Sequence, residues 1–382
     1  MADRVRPVVA IVGGGVIGTA AAWQLATRLG PGYEVVLFEA DSVACGSSSR
    51  AVGEVETQYL ERRDIEPRVR SMAVLAELEA GAGLGIHRNG YLRLARSQDG
   101  VPAFHASVDH QRACGVTSAR VVSPDEVAGL VPGINLAGVA AGLLGAEDGH
   151  VDPYQLTHVY ANLARAAGAV IREHTPVDAI QMGERGVESV QLAGGERVAA
   201  ELVVNAAGSW AGRLSQTAGV HLPVLGYRHQ VAVFQAPGDY PDIPFTMDFL
   251  PGSGEPGIYL RKEGATRLVA GLHDDHLDPS TEVDPDGCPP GVDAAFVDTV
   301  VDKLAALLPG LVDRLAFVDG WSGLYPFTPS TRPEVREVDD SGYLVAVGFG
   351  GVGIQLSPWA GEEVARLAAG VIRRRSLADI PA

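Results

Sequence analysis

Residues 7–26 read PVVAIVGGGVIGTAAAWQLA, an apolar run that meets three successive glycines and continues in small residues. Residues 7–12 predict a buried strand, and residues 16–29 predict a helix rich in small side chains. A second apolar run, EVVLFEA, starts at Glu34 and predicts another strand that ends in an acidic residue. Strand, tight turn, helix and strand together indicate the opening of a nucleotide-binding α/β domain.

The turn matches G-x-G-x-x-G at Gly13, Gly15 and Gly18. The first glycine permits the turn, the second lets a pyrophosphate approach the backbone, and the third lets helix and strand pack closely. The helix N-terminus then directs its positive dipole end at the phosphates. Glu39 closes the second strand, where a carboxylate accepts hydrogen bonds from ribose hydroxyls. A glycine triplet alone also fits a purely structural turn, but the strand, helix and acid together favour a bound dinucleotide.

Length, charge and cysteine content restrict the class of protein. The 382 residues suffice for two domains. A net charge of −17 argues against nucleic acid or an anionic membrane surface as the main partner. The cysteines Cys45, Cys114 and Cys288 are scattered, which predicts neither a metal site nor a disulfide framework. The first apolar run is too short for a signal sequence, and no run suffices for a membrane span, so we expect a cytoplasmic protein.

A second group of strand-like segments alternates more and predicts a separate antiparallel sheet: GYLRLAR, RHQVAVFQA, GIYLRKEG and TRLVAGLH. We therefore predict a discontinuous nucleotide-binding domain made of residues 1–85, 145–220 and 335–382. Residues 86–144 and 221–334 are predicted to form the second, substrate-binding domain. The acidic, proline-rich residues 274–291 are predicted to be a loose surface connection.

Further motifs follow in order along the chain: CGSSSRAVG from residue 45, GYLRLA from 90, DGHVDPYQLTHVYANLARAAGA from 148, VVNAAGSWAGRL from 203 and VGFGGVGIQLSPWAGEEVARLAAG from 347. This ordered set resembles the D-amino-acid oxidase family of flavoenzymes, in the branch that includes sarcosine oxidase, glycine oxidase and D-arginine dehydrogenase. The resemblance implies an α/β fold, with a Rossmann-like FAD-binding domain and an antiparallel-sheet substrate domain that enclose the flavin between them.

The resemblance also implies the FAD contacts and the type of attachment. In WSGLYPFTP, Gly323 stands where sarcosine oxidase-like members have the cysteine that binds FAD covalently, so we expect non-covalent FAD. The implied cofactor-binding residues are Gly13, Gly15, Val16, Ile17, Gly18, Glu39, Ala40, Ser47, Ser48, Ser49, Arg50, Val177, Ala207, Gly208, Trp210, Gly350, Gly351, Val352, Gly353, Ile354 and Gln355.

In this family the flavin takes a hydride from a carbon beside an amine, and the protein supplies orientation and charge. The implied catalytic residues are Tyr259, His273, Tyr325, Arg261 and Gln355. Tyr259 equally fits a packed tyrosine on a strand face, and His273 equally fits a loop histidine. A substrate carboxylate would favour a guanidinium, for which Arg50, Arg261 and Arg332 are candidates beside the alternative of plain surface arginines.

Two departures from the family pattern bear on the reaction. Val269 replaces a lysine that assists the reaction with dioxygen in sarcosine oxidase-like enzymes, and Gln355 replaces a lysine that binds a substrate carboxylate. Glu54 or Glu56 stands where relatives place a carboxylate-binding arginine, which suits an amine-bearing substrate or a simple ion pair with Arg62 or Arg63.

We expect FAD-dependent oxidation of a C–N bond in a small amine or amino-acid-like substrate, giving an imine that hydrolyses. Dioxygen or another acceptor would then reoxidise the flavin. Three alternatives stay open: oxidation of a hydroxy acid or alcohol, oxidation of a natural-product intermediate, and a flavin subunit in an electron-transferring complex.

Overall fold

The computed structural model describes residues 6–249, 253–274 and 279–378. The helices of these residues are, in chain order, α1 (Val16–Leu29), α2 (Arg62–Ala82), α3 (Val101–Ala113), α4 (Pro124–Leu130), α5 (Pro153–Ala166), α6 (Ala211–Thr217), α7 (Ala294–Leu307), α8 (Pro309–Val312) and α9 (Gly353–Ala378). The strands are β1 (Val8–Val12), β2 (Glu34–Phe38), β3 (Glu54–Val55), β4 (Ile86–His87), β5 (Tyr91–Ala95), β6 (Ala119–Val122), β7 (Ala141–Gly145), β8 (Gly149–Val151), β9 (Val170–Arg172), β10 (Val177–Gly183), β11 (Gly186–Leu192), β12 (Arg197–Ala199), β13 (Leu202–Asn205), β14 (Leu225–Gln235), β15 (Phe245–Asp248), β16 (Gly257–Glu263), β17 (Arg267–His273), β18 (Ala316–Phe327), β19 (Glu334–Val338) and β20 (Tyr343–Val347).

A six-stranded sheet in the order β19-β20-β13-β1-β2-β9 forms the first layer. Its strands pair in parallel except for β19, which runs antiparallel to β20. The predicted β1–α1–β2 unit is confirmed, with Glu39 directly after the last residue of β2. Because β1 lies between β2 and β13, the glycine turn opens at the carboxyl edge of the sheet, where α/β folds bind ligands.

An eight-stranded sheet in the order β18-β14-β17-β16-β15-β5-β7-β6 forms the second large layer. The four alternating segments predicted from the sequence are β5, β14, β16 and β17, and all belong to this sheet. Its pairs are antiparallel except β15 with β5, which pair in parallel. The chain therefore has the predicted α/β fold with two large sheets, to which two three-stranded sheets, β10-β11-β12 and β3-β8-β4, are added. The pairing of β15 with β5 is the one departure from an antiparallel second sheet. The strands of the two large sheets come from interleaved stretches of the sequence. The residue boundaries of the two domains remain a prediction.

The hydrophobic core has a separate part under each sheet. Helices α1, α5 and α9 pack on one face of the six-stranded sheet, around buried residues such as Leu25 and Tyr160. Helices α7 and α8 cover the eight-stranded sheet around Leu304 and Leu311. Small residues let α1 and α9 approach closely, since a Cβ on Gly361 would lie 2.8 Å from the backbone of Ala20. This tight packing holds α9 directly against α1.

The proline-rich segment 274–291 differs from its prediction as a loose connection. Residues 275–278 of it lie outside the described residues, but the rest is anchored. The Val283 N–H donates to the carbonyl of Gly226, and Asp286 accepts hydrogen bonds from Trp210 Nε1 and Arg213. Within the segment itself, the charge pattern is that of a solvated linker. The arginine and tryptophan that hold it lie elsewhere in the sequence, in α6 and in the turn before it.

None of the helices in the described ranges has both the length and the apolar character that crossing a membrane requires.

Candidate active site

A cavity of about 720 Å³ opens at the carboxyl edge of the six-stranded sheet and extends to β18 of the eight-stranded sheet. Most of the predicted cofactor residues line it: Gly13, Gly15, Val16, Ile17, Glu39, Ala40, Ser47, Ser48, Arg50, Val177, Ala207, Gly208, Trp210, Gly350, Gly351, Gly353 and Ile354. Four predicted residues do not line it: Gly18, Ser49, Val352 and Gln355. Segments far apart in sequence therefore converge on one space.

The glycine turn leaves no room for side chains where it meets the sheet. Gly13 has φ +110°, and a Cβ on it would lie 2.5 Å from the carbonyl oxygen of Ala206. A Cβ on Gly18 would lie 1.9 Å from the carbonyl oxygen of Gly13. Gly18 thus acts through packing behind the turn, which explains why it does not line the cavity.

The start of α1 and the end of β2 are tied to the same space. The N–H of Val16 donates to Ser48 Oγ at 2.9 Å. Glu39 accepts from the N–H of Gly14 at 2.6 Å and from that of Asp41 at 2.9 Å. The carboxylate is therefore held by backbone at the cavity wall, and the helix N-terminus faces the same region with its positive dipole end.

Two other segments close the cavity. A Cβ on Gly351 would lie 2.8 Å from the ring of Tyr325, so the turn before α9 lies directly against β18. Opposite, Asp286 and Cys288 of the anchored proline-rich segment line the wall, with Trp210 Nε1 donating to Asp286 at 2.7 Å. A long, flat, phosphate-bearing molecule suits these walls, because they combine backbone turns, hydroxyls and apolar surface.

A comparison with known protein families identifies the dinucleotide as FAD. The sequence model of the DAO family, described as FAD dependent oxidoreductase, matches residues 9–367. The chain belongs to the DAO family of FAD-dependent oxidoreductases. FAD is the cofactor of this family.

Several DAO-family proteins resemble the chain over nearly its whole length. It is 28% identical over 378 residues to the mitochondrial dimethylglycine dehydrogenase of Rattus norvegicus, covering 94% of this chain and 43% of that protein. It is 29% identical over 369 residues to the glycine oxidase of Geobacillus kaustophilus (strain HTA426), covering 94% and 92%. The chain thus spans about two-fifths of the length of the dimethylglycine dehydrogenases it matches.

Solved structures of the family share the fold. The L-proline dehydrogenase from P. horikoshii superimposes with a TM-score of 0.84 at 25% identity, covering 96% of this chain and 94% of that one. The glycine oxidase structure from Geobacillus kaustophilus gives a TM-score of 0.78 at 28% identity, covering 96% and 95%.

The residues of the cavity fit FAD. There is no room for a Cβ at Gly13 or at Gly351, as expected where the backbone must approach a ligand or pack tightly around it. Two thiols, Cys45 and Cys288, also line the cavity. Burial, reinforced by the charge of Glu39, raises the pKa of Cys45, so its reactive thiolate form is disfavoured.

Three aromatic rings stack next to the cavity, and of these Tyr325 lines it whereas Tyr259 and His229 do not. His229 of β14 was not predicted as a site residue. His229 stacks on Tyr325 with centroids 4.2 Å apart and lies 6.2 Å from the ring of Tyr259. Its Nε2 lies 3.3 Å from the Tyr259 hydroxyl. Burial, reinforced by His273, lowers the pKa of His229 to about 4, so the imidazole is neutral at neutral pH.

Two members of this stack, Tyr259 and Tyr325, are predicted site residues, and the predicted His273 influences the pKa of the third, His229. Burial raises the pKa of Tyr259 and of Tyr325, which keeps both phenols protonated. His273 packs edge-on against Phe249 with centroids 4.7 Å apart. Tyr259, Tyr325 and His229 thus form a wall of neutral hydrogen-bonding groups rather than a set of acids and bases.

The predicted carboxylate-binding arginines are largely engaged elsewhere. Arg261 is buried, donates from Nε to the carbonyl of Val52 at 3.0 Å and pairs with Glu263. Arg332 pairs through both terminal nitrogens with Asp64. Arg50 lines the cavity, and its carbonyl accepts from Trp321 Nε1 at 2.8 Å.

Glu54 and Glu56 do not form the ion pairs with Arg62 or Arg63 that the sequence analysis considers. Arg62 pairs with Glu66, and Arg63 pairs with Glu61. Glu56 is buried, whereas Glu54 is partly exposed. Burial, reinforced by the charge of Glu56, raises the pKa of Glu54 to about 7. Beside the larger effect of burial, the Glu54 charge also raises the pKa of Tyr259 and of Tyr325.

Gln355 lies just behind the cavity, where a second unpredicted residue, Arg68 of α2, meets it. Gln355 is 3% exposed and accepts a hydrogen bond from Arg68 Nε at 2.9 Å. Among four arginines in the first nine residues of α2, the sequence offered nothing that distinguishes Arg68 from its exposed neighbours. His229, in contrast, could have been found, because alternation along β14 places it on the same face as buried Val231 and Val233.

Proposed function

We propose that the chain oxidises a C–N bond of a small amine or amino-acid-like substrate with non-covalent FAD. The observation that supports this most is the convergence of Tyr325, Tyr259 and His229 beside the glycine turn at Gly350 and Gly351. That turn lies against Tyr325, so a ring bound over it would meet a wall of neutral hydrogen-bonding groups. Bound FAD supplies the two-electron acceptor for a hydride from the carbon beside the amine.

The roles of the side chains follow from their charge states. Tyr325 and Tyr259 position the substrate and exclude water, since both phenols stay protonated. His229 is neutral and orients the Tyr259 hydroxyl. Glu54 accepts a proton or hydrogen bond from the substrate amine, because oxidation requires the unprotonated amine. His273 and Arg261 support this wall from β17 and β16, and water hydrolyses the released imine.

The cofactor residues predicted above hold the dinucleotide in this proposal. The turn at Gly13 and Gly15 and the N-terminus of α1 receive the pyrophosphate, Glu39 the adenosine ribose, and the turn at Gly350 and Gly351 the flavin. The six-stranded sheet then belongs to the FAD-binding domain and the eight-stranded sheet to the substrate domain. We further propose a cytoplasmic protein without a nucleic-acid partner, in keeping with the net charge of −17.

Anaerobic stopped-flow bleaching of the bound flavin tests this function. We expect reduction by at least one member of a panel of glycine, N-methylated glycines, L-proline and related amines. Bleaching only by 2-hydroxy acids would overturn C–N oxidation and support the alcohol-oxidising alternative. Trichloroacetic acid should release the yellow colour into the supernatant, and a yellow pellet would contradict non-covalent attachment.

The electron acceptor is tested separately, by comparing turnover in air with turnover in the presence of an artificial acceptor. Val269 is buried among apolar neighbours and brings no charge to the site. We therefore expect fast flavin reduction with slow peroxide formation, as in a dehydrogenase. Peroxide formation as fast as flavin reduction would show that dioxygen is the acceptor.

A further inference from the structure

A row of three titratable side chains crosses the small sheet made of β3, β8 and β4. Glu54 of β3 lies directly opposite His150 of β8, and His87 of β4 lies opposite the same histidine from the other side. Directly opposite residues of antiparallel strands project from the same face of a sheet, with Cβ atoms about 5 Å apart. Glu54, His150 and His87 are therefore consecutive neighbours on one face, and we call them the polar row.

The other face of this small sheet is apolar. Val55 and Val151 are buried in the core around α1, α5 and α9, and Ile86 packs against the same core. Side chains alternate between the two faces along a strand, so the burial of these residues turns the polar row away from the core. The row thus follows a seam that the core does not fill.

The polar row leads from the protein interior to its surface. At the inner end, Glu54 does not line the FAD cavity, but burial and, to a lesser extent, the Glu54 charge raise the pKa of Tyr325, which does line it. At the outer end, the His87 side chain is 54% exposed, and its Nε2 lies 2.7 Å from Oδ2 of Asp242, which is also exposed. Between them, the rings of His150 and His87 are in contact, with centroids 4.9 Å apart.

One atom in the middle of the polar row, His150 Nδ1, has no explanation in the protein contacts. It is enclosed, and it has no hydrogen-bond partner within the described ranges of the chain. Buried polar nitrogens normally have a partner, so an unpaired one indicates an ordered water molecule or a functional contact. A neutral imidazole has one donor and one acceptor nitrogen, so it can take up a proton at one and release a proton from the other.

The charge states of the polar row suit proton transfer. Burial raises the pKa of Glu54 to about 7, so this carboxyl group gains and loses a proton near neutral pH. Burial lowers the pKa of His150 to about 3, so the imidazole rests neutral and does not retain a proton that reaches it. Outside the row, the charged groups that act on these two side chains are Glu56, Arg68, Arg261 and Asp242.

We propose that Glu54, His150 and His87 form a proton path that carries the amine proton of the substrate to solvent beside Asp242. An N–H bond of the substrate ammonium breaks as the Glu54 carboxylate takes the proton. Glu54 then gives a proton to one ring nitrogen of His150, directly or through a water molecule, while the other nitrogen releases one to His87 and the surface. No electrons move in these steps, and a turn of the His150 ring restores its first tautomer. The source of the proton rests on the proposed amine oxidation, whereas the path itself does not.

A pH jump on the FAD-loaded protein, with no amine present, tests the path itself. The solution is shifted from about pH 8 to about pH 6, across the Glu54 pKa of about 7, and the infrared band of the protonated carboxyl group is followed. Glu54→Gln identifies the band by removing it. His150→Phe keeps a ring against His87 but lacks both nitrogens, so Glu54 should become protonated at least about 10-fold more slowly. A wild-type rate in His150→Phe would overturn the proposal.

The exposed end of the path allows a measurement that a purely structural role would not affect. His87→Ala should also slow the protonation of Glu54 about 10-fold or more, and imidazole added to the buffer should restore the rate, because a free base can replace an exposed one. The matched control is His105→Ala, which removes an exposed histidine from α3 and should leave the rate unchanged. A wild-type rate in His87→Ala, or a loss that imidazole does not restore, would refute the path through His87.

A second variant covers the case in which His150→Phe does not fold. His150→Gln keeps a polar side chain, but an amide does not exchange protons at neutral pH, so the same slowing is expected. A wild-type rate in this variant would equally refute the role of His150.

The pH jump requires no turnover, so the path and the proposed oxidation can fail separately. With an amine that bleaches the flavin, a pH-indicator dye should show slower proton release in His150→Phe than in the wild type. A protein that no amine bleaches, but in which protonation of Glu54 depends on His150, would refute the oxidation and leave the path standing. Bleaching by an amine, with protonation of Glu54 independent of His150, would refute the path alone.

Discussion

Replacing Gly18 with alanine tests whether close packing behind the glycine turn shapes the cofactor site. The new Cβ would lie 1.9 Å from the carbonyl oxygen of Gly13, whereas real Cβ contacts do not fall below 3.0 Å. The turn and α1 must therefore separate by about 1 Å, and overpacking of this kind costs about 1–3 kcal/mol. The higher helix propensity of alanine offsets about 1 kcal/mol of this. We expect a net loss of up to about 2 kcal/mol in the free energy of unfolding.

The effect on FAD binding should exceed what stability alone gives. Gly13 begins the turn that faces the cavity, so moving its carbonyl displaces the amides proposed to face the pyrophosphate. We expect FAD to bind at least about 10-fold more weakly, which corresponds to about 1.4 kcal/mol. Flavin fluorescence measures the dissociation constant, and urea unfolding of the apoprotein measures stability.

A matched control comes from α9. Gly370 is also a helical glycine, but a Cβ there meets nothing within 4 Å. Gly370→Ala should therefore stabilise the protein by about 0.5–1 kcal/mol and leave FAD affinity unchanged. If Gly18→Ala matches this control in both measurements, the packing argument for the turn is wrong.

Three other predictions concern the titratable groups and the aromatic wall. His229→Phe keeps the stack on Tyr325 but loses the contact with the Tyr259 hydroxyl, so anaerobic flavin reduction should slow at least about 10-fold; an unchanged rate in stopped flow would contradict the orienting role. Because burial raises the pKa of Glu54 to about 7, the rate of flavin reduction should change near pH 7, and Glu54→Gln should abolish that inflection. Burial likewise raises the pKa of Asp148 to about 7, above its value in the unfolded chain. Between about pH 4 and 7 the native state therefore keeps a proton on this carboxyl group that the unfolded chain has already lost. Wild-type stability should therefore fall as the pH rises through this range, by up to about 1.4 kcal/mol per pH unit, and Asp148→Asn should flatten the urea-unfolding profile.

The fold was predictable where local pattern and tertiary structure agree. The β1–α1–β2 unit follows from an apolar run, a glycine turn and small residues, each of which specifies its own conformation. The parallel pairing of β15 with β5 could not be predicted, because the two strands are separated by about 150 residues and neither carries a mark of its partner. The role of residues 279–291 was missed for a similar reason, since Trp210 and Arg213 hold this segment from a distant helix.

The arginines show why the site was harder to predict than the fold. Arg261 looked suitable on its strand, yet Glu263 lies two residues further on the same face and pairs with it, as period-two geometry dictates. Arg68, for which no prediction was made, has Asp64 four residues earlier in the helix, at the spacing of an ion pair. In the folded chain Arg332 takes both oxygens of that carboxylate, and Arg68 is left buried with neutral contacts only. An arginine more than 260 residues away in sequence thus takes the partner that helical spacing would give to Arg68, and no local pattern contains that information.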